Sequence, residues 1–193
     1  MPSFSHFMRQ RGRQFLRGLF VTLALFSFMA RPALAQSILR DAATEALFDD
    51  MSRPLIAAAG LDPKNVKVVL IGDKEINAFV AGGQYVYINS GLFTTADNVN
   101  EVQGVIAHEL GHVGGGHVIR GSEGVKAATG ISILSLVLGA AALAAGAGDA
   151  GMGIMMAGQQ AALGKYLAFS RTQESSADAA GQKYLIDSGI TGK

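Results

Sequence analysis

The sequence predicts an α+β domain in which a small β-sheet stands beside helices that carry a metal site. Three observations predict it. Helical periodicity dominates the chain on both sides of a central region, that region (66–89) is a set of short β-branched runs punctuated by glycines, and His108-Glu109-Leu110-Gly111-His112 lies within the helical stretch that follows. In a helix the two histidines fall on one face, one turn apart, where two neutral imidazoles can share one zinc ion. The intervening Glu109 then faces the coordination position left for water.

Residues 1–35 stand apart from this domain. Arg9, Arg11, Arg13 and Arg17 form a basic start without acidic residues, Leu19 to Ala30 is a 12-residue apolar run, and Ala33-Leu34-Ala35 supplies a small-x-small site. This is the pattern of a secretory signal peptide cleaved before Gln36, so the expected domains are a leader over 1–35 and one folded domain over 36–193. After residue 35 the chain holds 11 Lys and Arg against 15 Asp and Glu, a formal charge of −4, which argues against nucleic acid as the partner. The chain has no cysteine, so disulfides and a lipidated N-terminal cysteine are excluded. All three histidines after residue 35 lie between 108 and 117, as expected of one dedicated site.

Each element has its own signal. Over 37–59, Leu39, Ala43, Leu47, Met51 and Leu55 recur at four-residue steps as an amphipathic helix, with Pro54 expected to kink it or start a second one, and Gly60 to end it. Val66 to Ile71 reads as a strand; Ile76 to Val80 and Tyr85 to Asn89 read as two more, joined across Gly82-Gly83 as a hairpin. Asn98, with Glu101 three residues on, offers the best helix start before Val102, Val105, Ile106, Leu110 and Val113. Gly114-Gly115-Gly116 should end this helix near Val113, or let it continue weakly and fray, with a mobile loop beside the site, since each glycine costs about 1 kcal/mol in a helix interior.

Two imidazoles leave a catalytic zinc site short of a protein ligand. The downstream candidates are Glu123, Asp149, Glu174, Asp178 and Asp187, with His117 as the remaining histidine. Glu174 and Asp178 stand four apart in a segment whose Tyr166, Phe169, Ala177, Ala180 and Tyr184 form a stripe, so both carboxylates face one way. One can bind the metal while the other accepts the free ring N–H of a liganding histidine.

His108-Glu-Leu-Gly-His112 followed by Ser170-Arg171-Thr-Gln-Glu174-Ser-Ser-Ala177-Asp178 resembles the M48 metallopeptidases, whose pattern is HExxH and then SRxxExxAD. Asn77-Ala78-Phe79, the Gly82-Gly83 turn and the strand leading to Gly91-Leu92 match what that family carries ahead of its zinc helix. The resemblance covers about residues 40–188. Within the family an exported chain is similar to the periplasmic β-barrel assembly-enhancing proteases and, more distantly, to the mitochondrial inner-membrane enzymes. The resemblance implies a gluzincin-type fold with one Zn2+ held by His108, His112 and Glu174, Glu109 as general base, and Asp178 bracing a histidine, His108 foremost. It also implies that the strand Tyr85 to Asn89 offers its edge to an extended peptide. The substrates it implies are polypeptides, misfolded or stalled envelope proteins in the periplasm, as part of protein quality control.

Other roles stay open at the level of sequence. His117 is a loop residue or supports a ligand, in preference to binding the metal, and Arg171 is a structural salt-bridge partner in preference to a catalytic auxiliary. The second oxyanion donor is one of His117, Tyr166, Arg171 and Tyr184. Ile131 to Ala147 is a 17-residue run without charge, followed by a Met-, Gly- and Ala-rich stretch from Met152 to Leu163. This insert, about 130–164, reads first as a helical hairpin packed on the domain as a lid or core element. Membrane-surface or partner contact through 131–163 is the second reading, and a membrane span the third. No 34-residue repeat follows the peptidase-like segment, so the sequence reads as a bare catalytic domain or a truncated chain. The competing function is a chaperone-like or partner-binding module with a latent zinc site.

Overall fold

The computed structural model describes residues 37–39 and 41–191; the leader over 1–35 and the cleavage site before Gln36 lie outside them. The described residues form four strands, β1 (Ser37–Ile38), β2 (Lys67–Gly72), β3 (Ala78–Ala81) and β4 (Tyr85–Asn89), and five helices, α1 (Ala42–Ala58), α2 (Ser90–Thr95), α3 (Val99–Gly114), α4 (His117–Ala144) and α5 (Gly148–Ser188). The fold is α+β with a small sheet. The strand order is β1-β2-β4-β3, with β2 and β4 parallel and the two outer pairings antiparallel. The expected hairpin joins β3 to β4, with Gly82 and Gly83 in the left-handed region (φ +61° and +93°).

The first helix starts later than its periodicity suggests. Ser37 and Ile38 instead pair with Gly72 and Ile71 as an edge strand, and Asp41 caps α1 by accepting from the Thr44 amide at 3.1 Å. Pro54 neither breaks α1 nor starts a second helix. Met51, Leu55 and Ile56, buried on either side of it, hold the helix against the core, where packing outweighs propensity. Gly60 ends α1 with φ +66°, its amide on the Ala57 carbonyl and the Leu61 amide on that of Ile56, a Schellman closure.

Phe48 and Leu55 from α1, Val86 and Ile88 from β4, and Ile106 and Leu110 from α3 are almost fully buried and make the centre of the core. Burial of side chains of this size is worth about 1.5–3 kcal/mol each. A buried hydrogen bond from Gln103 Nε2 to the Met51 carbonyl (3.1 Å) ties α3 to α1. Asn98 caps α3, accepting from the Glu101 amide at 3.2 Å, and Glu101 reaches back to the Asp97 amide at 3.0 Å.

Two features of the helices depart from the expectation. The helix α3 ends at Gly114, beside the expected Val113, but no loop follows: Gly116 takes a left-handed φ of +63° and α4 begins at His117. The segments around 152–163 and 166–184 are one helix of 41 residues, because neither a proline nor a cap divides them and Gly164 alone costs only about 1 kcal/mol.

α3 and α5 cross with their backbones almost touching. A Cβ at Gly111 would lie 2.6 Å from the Ala177 carbonyl oxygen, and one at Gly181 would lie 3.0 Å from the backbone of Ala107 and His108. Small residues four apart on each helix, Ala107 and Gly111 facing Ala177 and Gly181, create this crossing. Gly111→Ala should therefore lower stability by about 1–3 kcal/mol through overpacking. Gly104→Ala, on the same helix with nothing within 4 Å of the new methyl, should raise it by about 0.5–1 kcal/mol. Urea midpoints of the two variants, at unchanged slope, check the opposite signs.

Candidate metal centre

The crossing aligns His108 and His112 on α3 with Glu174 and Asp178 on α5. His108 Nε2 and His112 Nε2 are 3.1 Å apart, and Glu174 Oε2 lies 3.5 Å from the first and 3.6 Å from the second. These three side chains form the one His/Asp/Glu group among the described residues arranged to hold a metal ion. A point equidistant from the three atoms lies about 2.0 Å from each, which is the length of zinc bonds to imidazole nitrogen and carboxylate oxygen.

Hydrogen bonds behind the rings assign their protons. His108 Nδ1 donates to Asp178 Oδ1 at 2.8 Å, leaving Nε2 as a lone pair. On the other side a chain runs outward: His112 Nδ1 to His117 Nδ1 at 3.0 Å, His117 Nε2 to Ser176 Oγ at 3.0 Å, and Ser176 Oγ to the Gln173 carbonyl at 2.9 Å. Because the Ser176 hydroxyl donates to a carbonyl, it accepts from His117, whose Nδ1 accepts from His112. His112 Nε2 is then also a lone pair. Two lone pairs facing each other 3.1 Å apart beside a carboxylate repel unless a cation sits among them, so the donor set fits a metal such as zinc.

Burial favours the neutral rings that ligation needs. It lowers the pKa of His112, against the opposing pull of Glu174, and it lowers that of His117. Glu109, 8% exposed, has its pKa raised above the usual carboxylate range, chiefly by burial; His108 opposes the shift and Glu174 adds to it.

The groove over these groups is lined by His108, Glu109, His112, His117 and Glu174, by Val118 and Gln173, and by Ala78, Phe79 and Val80 of β3. The free sheet edge beside the site therefore belongs to β3. β4, the strand expected to offer its edge, is paired on both sides. Arg171 is exposed and makes no ion pair among the described residues, against the expected salt bridge. Of the four oxyanion candidates only His117 lines the groove, and both its ring nitrogens are engaged; Tyr184 packs against the core instead. Ser176 and Gln173 went unmarked in the sequence, where a serine and a glutamine carry no signal. Gly115 could have been noticed: a Cβ there would lie 2.4 Å from His117 Nε2, so glycine lets that ring fold back toward His112.

Fold and site together define a metallopeptidase. The chain belongs to peptidase family M48, whose profile matches residues 42–193. Among its relatives are the beta-barrel assembly-enhancing proteases of Yersinia pestis (29% identical over 172 residues, 87% of this chain and 35% of that protein) and of Escherichia coli K12 (31% over 121 residues, 63% of this chain and 25% of that protein). The metalloprotease LoiP of E. coli K12 is 34% identical over 134 residues, 67% of this chain and 47% of that protein. The chain thus spans between a quarter and a half of the length of these relatives. The family carries a catalytic metal, and the gluzincin-type arrangement of sheet and helices agrees with this membership.

Asp178→Asn keeps an acceptor opposite His108 but removes its charge. It should weaken zinc binding by about 10–100-fold with the fold intact. Competition against a chromophoric chelator measures the loss; unchanged affinity would remove Asp178 from the site.

Proposed function

We propose that the chain is a zinc-dependent endopeptidase in which His108, His112 and Glu174 hold the metal and Glu109 is the general base. The observation that carries this reading is the convergence of three donor atoms over a groove that also contains a buried carboxylate. Two imidazoles and one carboxylate are a ligand set of catalytic zinc, which leaves a position for water. A purely structural site has no use for a glutamate between its ligands.

Zinc held by His108, His112 and Glu174 would supply Lewis-acid polarisation of a peptide carbonyl and would make water more acidic. Glu109 would accept a proton from a water as its oxygen bonds to the peptide carbon and would pass that proton to the amine released when the C–N bond breaks, a double role that suits a carboxyl whose burial raises its pKa. Asp178 orients His108, and the His117–Ser176 chain orients His112. The exposed edge of β3 receives the substrate as an added extended strand, with Phe79 and Val80 beside the scissile region.

The substrates proposed are polypeptides of the bacterial envelope, in protein quality control. The basic, apolar and small-residue pattern of 1–35 supports export to the periplasm with cleavage before Gln36, leaving a peptidase domain over 36–193. Relatives named for enhancing β-barrel assembly support an envelope substrate.

Glu109→Gln preserves the shape of the site and removes the base. It should bind zinc as wild type does and digest an unfolded, dye-labelled protein at least about 100-fold more slowly. Equal digestion by the two zinc-loaded proteins would refute catalysis at this site and favour the binding-module reading.

A further inference from the structure

α4 and α5 form a hairpin whose packing is inverted relative to a soluble protein. Facing each other inside it are Ser135, Gly139, Gly151, Gly158 and Ala162, all buried. Cβ atoms at Gly139 and Gly151 would each lie under 3 Å from the opposing helix's backbone, and one at Gly158 would meet Ser135. The large apolar side chains point outward: Ile133, Leu134, Leu136, Val137 and Leu138 are each 51–59% exposed. The insert is the expected helical hairpin but not a core element: only 11% of the most apolar 18-residue stretch of α4 is buried. Small residues within and large aliphatic residues without is how helices pack in lipid, where close backbone approach replaces the hydrophobic effect.

The outward residues also identify what covers them. At about 100° per residue, the five on α4 occupy about 200° of its circumference, and Met152, Met156 and Leu163 continue the apolar surface on α5. A folded protein partner covers one face of a helix, whereas this surface wraps around the pair and calls for an apolar medium. Between Lys126 and Asp149 there are 22 residues without charge, and between Asp149 and Lys165 another 15. From Lys126 to the end of α4 is about 27 Å at 1.5 Å per residue, close to the roughly 30 Å of a bilayer's hydrocarbon. Arg120, Lys126, Lys165 and Arg171 outnumber Glu123 at the base of the hairpin, a basic collar suited to anionic headgroups. Gln159 and Gln160 are the polar residues of α5 between Asp149 and Lys165, and they lie on the Lys165 side, within about 9 Å of it.

We infer that the α4–α5 hairpin inserts into an anionic phospholipid bilayer, with its basic base at the near headgroups and Asp149 reaching the far ones. His117, the first residue of α4, lies nine residues before Lys126, so the metal centre stands about 14 Å from the membrane surface. The proposal rests on the peptidase reading only in its consequence: the substrates are polypeptide segments at the membrane surface. The lipid contact itself stands without it.

The chain contains no cysteine, so single substitutions can be labelled cleanly. Leu134→Cys, Val137→Cys, Met156→Cys and, as the control on the sheet side, Glu75→Cys would carry an NBD fluorophore in the full chain. Each would be mixed with phosphatidylcholine–phosphatidylglycerol vesicles with and without nitroxide-labelled acyl chains. The three hairpin labels should shift to the blue and lose most of their emission to the nitroxide, while the label at 75 does neither. Water-like, unquenched emission at the hairpin positions would overturn the proposal. So would a blue shift that occurs without lipid or survives nitroxide unquenched, which would mean a second copy or a protein covers the surface. Digestion of a soluble unfolded substrate, followed on the same labelled proteins, fails separately if the peptidase reading is wrong.

Discussion

The two imidazole lone pairs that meet between α3 and α5 are the constraint on which the rest of the site depends. Left to themselves, His108 and His112 would turn apart or share a proton. They are held with Nε2 facing Nε2 because each ring's other nitrogen is bound from behind, His108 by Asp178 and His112 by His117. The protein has thus placed three electron-rich atoms in a triangle of 3.1–3.6 Å that only a cation relieves. Hydrogen bonds from behind fix both rings, so the donor set is ordered in a form that fits a metal.

The triangle depends in turn on how closely two helices approach. Glu174 and Asp178 reach α3 because Ala177, between them, sits against Gly111, the residue before His112. The same residues therefore serve packing and chemistry: the glycine inside the histidine motif sets how closely the helix bearing Glu174 and Asp178 approaches. At the other end of the motif Gly115 and Gly116 make the corner that turns His117 back onto His112. A corner that tight makes a positioned imidazole where the composition suggests a loop.

What the sequence disclosed follows from which features are local. The metal set is legible because helical spacing alone places His108 with His112 and Glu174 with Asp178. The two pairs then need only one crossing, which the small residues on both helices allow. The α+β class was legible from β-branched runs between glycines, and Asn98 with Glu101 marked the start of α3 because capping is local chemistry. Strand order was not: β3 and β4 form a readable hairpin, but which of them pairs with β2 depends on a long-range contact, so the free edge is that of β3 and not of the expected β4. β1 escaped because two residues carry no periodicity, and Ser176 because a single hydroxyl on a helix looks like any other. The insert is legible as an apolar hairpin interrupted at Gly148-Asp149, yet its inverted packing emerges only when Ser135, Gly139, Gly151 and Gly158 are seen facing one another.

One crossing thus builds one candidate site, with a groove open to β3 and a hairpin whose single charge is Asp149 at its tip. X-ray absorption at the zinc edge of the stripped and reloaded protein tests its centre most directly. The expected result is about one zinc per chain in a nitrogen and oxygen environment with the multiple-scattering signature of two imidazoles, altered when Glu174 is replaced by glutamine. A protein that takes up no zinc, or whose zinc lacks paired imidazoles and ignores Glu174→Gln, would contradict it.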